Sequence, residues 1–256
     1  MAKQLARAHT RGALHGQIAL VTGGSLRVGR ALSLALADAG ANVAVHFNTS
    51  EKDAARVCAA IRRRGVKADM FQANLSVETE RVHLFEQVNQ KLGTVRILIN
   101  SAARFDNDPF ETTTLTEWDA NFEVNLKAPF RLSQLMAAQQ DNQVRGNIIN
   151  LTDWRGLRPG NDHFAYTITK AALVKMTEAM AMALAPRIRV NALALGSILP
   201  PPNATPETIQ RLIQDAPLKQ FGSPRDVTNA VIFLLTTGTY ITGATIPVDG
   251  GRRLVR

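Results

Sequence analysis

The stretch QIALVTGGSLRVG, residues 17–29, decides the fold that we predict for this chain. Residues 17–21 are predicted to form a short buried strand, since residues 18–21 are all apolar, and a threonine and two glycines follow directly. From residue 27 to residue 39 apolar side chains recur at helical spacing, and Gly40 then ends the predicted helix. A strand, a glycine-rich turn and a helix in this order are typical of a nucleotide-binding α/β domain.

Strand-like and helical patterns alternate along the rest of the chain. Further strands are predicted at residues 42–47, 66–72, 95–100, 146–151, 188–193 and 245–248. Helices are predicted at residues 51–64, 77–92, 116–120, 122–140, 163–184 and 224–235, and the polar, proline-rich segment 200–221 is predicted to hold one short helix. This alternation predicts an α/β, Rossmann-like fold with a doubly wound parallel sheet.

The sequence contains no internal repeat and no linker, so we predict a single domain. The domain spans residues 16–256, with a substrate loop near residues 197–221, and follows a basic tail at residues 1–15 that we expect to be flexible. The tail carries Lys3, Arg7 and Arg11 and no acidic residue, and it lacks the apolar core of a secretory signal. An organelle transit peptide is the alternative interpretation of this segment.

The composition excludes several classes of protein. Hydrophobic residues make up 45% of the 256 residues, yet no apolar run approaches the roughly 18 residues of a membrane helix. The single cysteine, Cys58, cannot form an intrachain disulfide, so we expect a reducing, cytoplasmic compartment. The net charge of +9 permits an anionic ligand. Basic and aromatic residues are not interleaved, so we predict no specific nucleic-acid partner, and we predict no metal site.

The turn after the first strand is the predicted site for a nucleotide phosphate. Gly23 permits a tight turn and a close approach to phosphates at a helix N-terminus. Arg27 stands at that helix start, where a cation opposes the helix dipole, so it either meets an anion or is an ordinary surface arginine. Together with Ser25 and Leu26, these residues are candidates for contacts to a cofactor.

The end of the second predicted strand indicates which dinucleotide would bind. An NAD site usually places an acidic residue there, on the ribose hydroxyl. Residues 46–50 contain no acid, and Asn48, Thr49 and Ser50 offer amide and hydroxyl donors to a 2′-phosphate. We therefore predict NADPH rather than NADH as the cofactor.

A tyrosine and a lysine on one predicted helix indicate proton transfer. Tyr166 and Lys170 are four residues apart, so they share one helix face. A nearby ammonium group favours the phenolate and lowers the pKa of a tyrosine from its usual value of about 10. On this argument Tyr166 becomes a general acid near neutral pH.

Several motifs together resemble the short-chain dehydrogenase/reductase family, from about residue 16 to the end of the chain. They are Thr22-Gly23 to Gly29, Asn74-Leu75, Asn100-Ser101-Ala102, Asn125, Tyr166 with Lys170, Arg189-Val190-Asn191 and Val248-Asp249-Gly250-Gly251. The resemblance implies that Tyr166 donates a proton, that Lys170 binds the nicotinamide ribose and lowers the tyrosine pKa, and that Asn125 holds a relay water. It also implies cofactor contacts by Asn74, Leu75, Asn100, Ala102, Gly196 and Ser197.

Three departures from the family pattern resemble pteridine reductases and dihydromonapterin reductases. Asp153 replaces the usual serine thirteen residues before the tyrosine, Arg27 replaces a small residue in the glycine turn, and Phe105 follows the strand-four motif. This resemblance implies that Arg27 reaches cofactor phosphate and pterin and that Phe105 stacks on the pterin ring. It also implies that the terminal Arg256 enters a neighbouring subunit's site, a frayed basic tail being the alternative.

Asp153 argues for reduction of a C=N bond. A serine hydroxyl can donate to a developing alkoxide, whereas an ionised carboxylate repels that charge. When a C=N bond is reduced, the nitrogen must gain a proton, and a carboxyl group beside Tyr166 can pass one. We therefore predict an NADPH-dependent reductase of a dihydropteridine, dihydromonapterin or dihydrofolate, with Asp153 and Tyr166 also contacting the substrate. A 3-oxoacyl-type ketone reductase and a non-catalytic nucleotide-binding regulatory protein are the alternatives.

Two predicted helices carry more apolar residues than one buried stripe requires. These residues are Leu132, Leu135 and Met136 on one helix and Leu173, Met176, Met180 and Met182 on the other. The surplus predicts a self-complementary interface, and similar family members form dimers or tetramers through these helices. We therefore expect a homo-oligomer without a membrane partner.

Overall fold

A computed structural model describes residues 12–139 and 145–255 of the chain. Its strands are β1 (Ile18–Val21), β2 (Asn42–Phe47), β3 (Ala68–Gln72), β4 (Val95–Asn100), β5 (Gly146–Asp153), β6 (Ile188–Leu195) and β7 (Thr245–Val248). Its α-helices are α1 (Arg27–Asp38), α2 (Glu51–Arg62), α3 (Glu78–Leu92), α4 (Leu115–Phe122), α5 (Ala128–Ala137), α6 (Phe164–Leu184), α7 (Pro206–Gln214) and α8 (Pro224–Thr236). Strands and helices therefore alternate along most of the chain, as predicted.

The seven strands form one parallel sheet in the order β3-β2-β1-β4-β5-β6-β7. The chain runs outward from β1 to β3, then crosses to β4 and continues outward to β7. The order therefore reverses between β1 and β4, where ligands of such sheets bind beyond the strand ends. The predicted Rossmann-like, doubly wound parallel sheet is confirmed.

Two apolar layers cover the two faces of the sheet. Successive strand residues point to opposite faces, so Val21 packs in the layer under α1, α2 and α8, while Leu20 packs in the layer under α3, α5 and α6. Both side chains are completely buried. A parallel strand covered on both faces needs apolar residues at every position, which explains the unbroken apolar run at residues 18–21.

The predicted helix at 122–140 is interrupted in the structure. α4 ends at Phe122, a π-helical turn spans Glu123–Lys127, and α5 begins at Ala128. Pro129 lies in the first turn of α5 and has no backbone N–H, so it cannot make the ordinary bond to the carbonyl of Asn125. The helical period of the side chains continues through the turn, which is why pattern analysis predicted one helix.

The apolar surplus on the two long helices is mostly part of the core. Leu132, Met136 and Leu173 are buried within the single chain, and Leu135 and Met180 pack against the same core. The prediction counted these five residues as surplus and was wrong for them, because their side chains belong to or pack against the core of the single chain. The expected homo-oligomer stays a prediction. Met182 is the exposed exception, at 85% of its full accessibility. Within residues 12–139 and 145–255, no helix has the length and apolarity needed to span a membrane.

Candidate active site

The ends of β1 and β4 are tied together where the sheet order reverses. The Thr22 hydroxyl accepts hydrogen bonds from the backbone N–H groups of Ser101 and Ala102, at 2.9 and 3.0 Å. The same hydroxyl donates to the carbonyl of Ile99. A single buried side chain thus fixes the turn after β1 against the loop after β4 and sets the floor of the crevice between them.

Two glycines of the turn have no room for a side chain. Gly23 has a φ of +61°, and a Cβ there would lie 3.1 Å from the Cα of Ala102. A Cβ on Gly29 would lie 2.1 Å from the carbonyl oxygen of Gly23. These positions must remain glycine if α1 is to begin close to the sheet, and the bare backbone leaves a cradle for a phosphate at the helix start.

His46 holds this turn against β2, a role that the sequence analysis missed. Its Nδ1 lies 3.0 Å from the backbone nitrogen of Gly23, and its Nε2 lies 3.0 Å from the carbonyl of Ala73. Because Nδ1 must accept from an N–H group, Nε2 carries the proton and donates. Burial lowers the pKa of His46 to about 4, so the neutral ring needed for this arrangement persists at physiological pH.

The predicted 2′-phosphate contacts lie around the end of β2. Asn48 and Thr49 are exposed, and the hydroxyl of Ser50 lies 2.7 Å from the hydroxyl of Ser25 in the glycine turn. Two hydroxyl groups therefore meet at this rim, close in sequence to the exposed Asn48 and Thr49. Leu26, also predicted to contact the cofactor, is the exposed residue preceding α1.

Arg27 connects the turn to the predicted substrate loop. Its backbone is left-handed, with a φ of +47°, and its guanidinium donates to the carbonyls of Leu199 and Pro200 at 3.4 and 3.0 Å. The side chain is thus held between the phosphate cradle and the predicted substrate loop, residues 197–221. A cavity of about 470 Å³ lies behind that loop, lined among others by Ser197 and Asp249.

Other predicted cofactor residues line the same strand ends. Asn100 donates from Nδ2 to Oδ1 of Asn150, and its own Oδ1 is buried without a hydrogen-bond partner among the described residues. Gly196 packs closely on Asp249, and a Cβ added to Gly196 would lie 2.6 Å from the Cα of Asp249. The remaining predicted contacts are Asn74 and Leu75 after β3 and Ala102 after β4. The unpaired amide oxygen and the glycine cradle fit a polar dinucleotide.

Asp153, Tyr166 and Lys170 meet at the end of β5. The Tyr166 hydroxyl donates to Oδ2 of Asp153 over 3.1 Å. The Lys170 ammonium donates to the carbonyl of Leu151 over 2.9 Å and lies 5.5 Å from the centre of the Tyr166 ring. Tyr166 and Lys170 are buried at 6% and 3% accessibility, and the Asp153 side chain is 14% exposed.

This environment reverses the expected pKa shift of Tyr166. Burial and the Asp153 carboxylate raise the pKa of the tyrosine well above 10, so the prediction that Lys170 would lower it was wrong. An ionised phenol would place a second negative charge beside the carboxylate, in a site with little water. Burial also raises the pKa of Asp153 and lowers the pKa of Lys170 to about 8.

Asn125 lies in the π-helical turn and is completely buried. Its Oδ1 accepts from the N–H of Arg104, and its Nδ2 donates to the carbonyl of Arg104, at 2.9 and 3.1 Å. The Nδ2 atom also lies 3.2 Å from the hydroxyl of Thr169. Asn125 therefore fixes the loop after β4, one residue before Phe105, and links it to α6.

Phe105 stands beside the tyrosine with half of its surface exposed. Its ring stacks on His163 with a centroid distance of 4.0 Å and meets the edge of Tyr166 at 4.7 Å. The guanidinium of Arg155 lies 5.7 Å from its centre. Neither His163 nor Arg155 was predicted from the sequence, although the basic residue two positions after Asp153 was a usable signal. Arg256 lies outside the described residues.

Comparisons with known proteins agree with this architecture. The family model described as enoyl-(acyl carrier protein) reductase matches residues 27–253. The 3-oxoacyl-[acyl-carrier-protein] reductase FabG of Staphylococcus epidermidis is 36% identical over 237 residues, which are 91% of this chain and 97% of that protein. These matches extend over nearly the whole chain.

Two solved structures are similar in fold and sequence. FolM alternative dihydrofolate reductase 1 from Brucella canis, complexed with NADP, has a TM-score of 0.86 and 33% identity and covers 94% of this chain and 95% of its own. The angucycline C-6 ketoreductase LanV with bound NADP has a TM-score of 0.88 and 32% identity and covers 96% and 99%. The length of the family match, the identity of these relatives and the shared sheet lead to one conclusion: this chain belongs to the short-chain dehydrogenase/reductase family.

Proposed function

We propose that this protein is an NADPH-dependent reductase that transfers hydride to a C=N bond of a dihydropterin. The substrate is of the dihydropteridine or dihydromonapterin type, with dihydrofolate as a further candidate. One observation carries the proposal: the residue hydrogen-bonded to the Tyr166 hydroxyl is the carboxyl group of Asp153, at 3.1 Å.

A carboxyl group at this point suits nitrogen better than oxygen. When ionised, it has no proton to donate to a developing alkoxide and would repel its charge. When protonated, it can supply the proton that a reduced C=N bond requires. Because burial raises the pKa of Asp153, the protonated form persists to higher pH than in an exposed aspartate.

The residues of the site divide the proton transfer between them. When bound, NADPH would supply the hydride that the substrate carbon accepts. The Tyr166 hydroxyl passes its proton to the adjacent nitrogen while the Asp153 carboxyl replaces it, so a buried phenolate does not have to form. Lys170 would hold the ribose of the bound cofactor through its ammonium group, and Asn125 fixes the loop that carries Phe105.

NADPH is the proposed cofactor because the end of β2 offers hydroxyl and amide groups without a carboxylate. Ser25 and Ser50 meet there at 2.7 Å, with Asn48 and Thr49 exposed beside them. The FolM and LanV structures described above were both solved with NADP, which supports the same choice.

Phe105 supports a flat heterocyclic substrate. Phe105 is 52% exposed and its ring meets Tyr166 in a T-shaped contact, so exposed apolar surface lies beside the proton donor. Stacking on a pterin ring would bury part of that surface and bring the C=N bond toward the hydroxyl of Tyr166. Arg27, held at the predicted substrate loop of residues 197–221, supplies a cation beside the glycine turn.

Reduction of a 3-oxoacyl ketone is the second candidate, favoured by the similarity to FabG proteins. Pterin reduction and ketone reduction require different groups beside Tyr166. The Asp153 carboxyl opposes ketone reduction, because its ionised form would repel the developing alkoxide. A non-catalytic nucleotide-binding role is the third, and it requires that NADPH binds without turnover.

A substrate panel separates these functions. The purified protein is mixed with NADPH and with dihydrobiopterin, dihydrofolate or an acetoacetyl thioester, and NADPH absorbance is followed. We expect consumption with a dihydropterin and at least tenfold lower kcat/KM with the ketone, about 1.4 kcal/mol in transition-state stabilisation. Preference for the thioester would contradict the proposal, and binding without turnover would favour the third function.

A further inference from the structure

Arg155 approaches the site from the turn that follows β5. Asp153 begins this turn, and its Oδ1 accepts a hydrogen bond from the backbone N–H of Arg155 at 2.9 Å. The Arg155 side chain folds back, so that its Nη1 lies 3.7 Å from the same carboxylate oxygen. Only 15% of this side chain is exposed.

Asp162 holds the guanidinium of Arg155 in one orientation. Nε of Arg155 donates to Oδ1 of Asp162 at 3.1 Å, and Nη2 donates to Oδ2 at 2.9 Å. Two parallel hydrogen bonds define the plane of the guanidinium as well as its position, which a lysine could not reproduce. Asp162 directly precedes His163, whose Nδ1 donates to the carbonyl of Asp106 at 2.7 Å.

Two aromatic rings complete the surroundings of Arg155. Its guanidinium carbon lies 5.7 Å from the centre of the Phe105 ring and 4.8 Å from the centre of the Trp154 ring. Cations within about 6 Å of a ring face are attracted to it. Phe105 is therefore held between Arg155, His163 and Tyr166.

The charged groups that face Asp153 are Arg155 and Lys170, and the neutral Tyr166 hydroxyl completes the set. Burial raises the pKa of Asp153, and the positive charge of Arg155 opposes that rise. Around Arg155 the anionic groups are Asp153 and Asp162, and His163 lies 3.8 Å from Asp162. Arg155 thus lies beside both the Asp153 carboxyl group and the Phe105 ring, which the proposed reaction uses.

We propose that Arg155 is a positioning residue for the reduction: clamped by Asp162, it orients the Asp153 carboxyl toward Tyr166 and fixes the Phe105 ring at the mouth of the site. The part of this inference that concerns catalysis rests on the proposed function. The electrostatic part concerns Asp153 alone and can be measured without a substrate.

The direct test follows the protonation of Asp153 by NMR in protein labelled with carbon-13 at the aspartate carboxyl carbons. The signal is assigned by its loss in Asp153→Asn. In Arg155→Gln we expect the titration midpoint of Asp153 to rise by about one pH unit or more, the usual effect of removing an adjacent opposite charge. Arg155→Lys keeps the charge and should restore most of the midpoint. Arg158→Gln removes a nearby cation that contacts the Arg253 carbonyl instead, and should leave the midpoint unchanged.

An unchanged midpoint in Arg155→Gln would overturn the proposal, whether or not the protein reduces a pterin. If Arg155→Gln does not fold, Asp162→Asn provides the second test, because it frees the guanidinium and keeps its charge. We expect this variant to raise the KM for dihydropterin several-fold without weakening NADPH binding. If the KM for dihydropterin in Asp162→Asn equals that of the parent protein, Asp162 does not position Arg155 for the reaction, and the proposal is overturned. Absence of pterin turnover in the parent protein would count against the proposed function only.

Discussion

The hydroxyl of Tyr166 donates to Oδ2 of Asp153 over 3.1 Å, so the proton of the tyrosine points at a carboxyl group. Both side chains are largely buried, and burial raises the pKa of each. The Asp153 carboxylate raises the pKa of Tyr166 further, whereas the hydrogen bond from Tyr166 opposes part of the rise in the pKa of Asp153. The pair therefore holds protons that separate, exposed side chains would release at lower pH. Such a pair can donate the proton that the substrate nitrogen gains when a C=N bond is reduced.

Removal of the Tyr166 hydroxyl tests whether the tyrosine carries the proton. Tyr166→Phe keeps the ring against Phe105, so NADPH should still bind. Turnover of a dihydropterin should fall about a hundredfold or more, the typical contribution of a general acid. Stopped-flow absorbance gives the rate and fluorescence titration gives the dissociation constant. Turnover within a few-fold of the parent would refute the role of Tyr166.

The pH profile tests the buried charge of Lys170. Burial lowers the pKa of this lysine to about 8, so its ammonium form dominates below that pH and is lost as the pH rises through it. A reaction that needs the ammonium should therefore show a falling limb of kcat/KM above pH 8. Lys175→Ala, which removes an exposed lysine paired with Glu178, should leave the limb in place. A flat profile to pH 9.5 would contradict the assignment.

Cofactor choice is tested at the rim of β2. Asn48→Asp places a carboxylate where the 2′-phosphate of NADPH is proposed to lie, so repulsion should weaken NADPH binding about tenfold, or about 1.4 kcal/mol. NADH lacks that phosphate and is the internal control, with an unchanged dissociation constant expected. Isothermal titration with both cofactors is sufficient. Equal losses of affinity for NADPH and NADH would mean that Asn48 does not lie beside the 2′-phosphate.

Phe105 is tested as the stacking surface for the substrate. Phe105→Ala should raise the KM for a dihydropterin about five- to tenfold, the range expected from loss of roughly 1 kcal/mol of aromatic stacking. Phe110→Ala removes another exposed ring, which packs on Phe164 instead, and should leave the KM unchanged. Equal effects of the two substitutions in steady-state kinetics would reject the stacking role.

The sheet was predictable because buried parallel strands are apolar at almost every position. The apolar run at residues 18–21 and the alternation of strand and helix patterns could be recognised without knowledge of contacts. The positions of Asp153 and Tyr166 followed from their spacing, since one ends a strand and the other begins a helix that packs beside it.

The electrostatics of the site could not be predicted in the same way. Spacing placed Lys170 near Tyr166 but could not reveal that the ammonium bonds to the Leu151 carbonyl while the carboxyl of Asp153 meets the phenol. Burial then determines the direction of the tyrosine pKa shift. His46 and Arg155 were missed because their roles depend on partners distant in sequence or on the path of a turn.

The measurement that tests the central claim most directly is the ratio of kcat/KM for a dihydropterin to kcat/KM for an acetoacetyl thioester, compared between the parent protein and Asp153→Ser. Serine restores a hydroxyl beside Tyr166 and removes the proton that the carboxyl supplies. We predict that the ratio falls at least a hundredfold, about 2.7 kcal/mol, because pterin reduction drops while ketone reduction holds or rises. An unchanged ratio in Asp153→Ser would contradict the account.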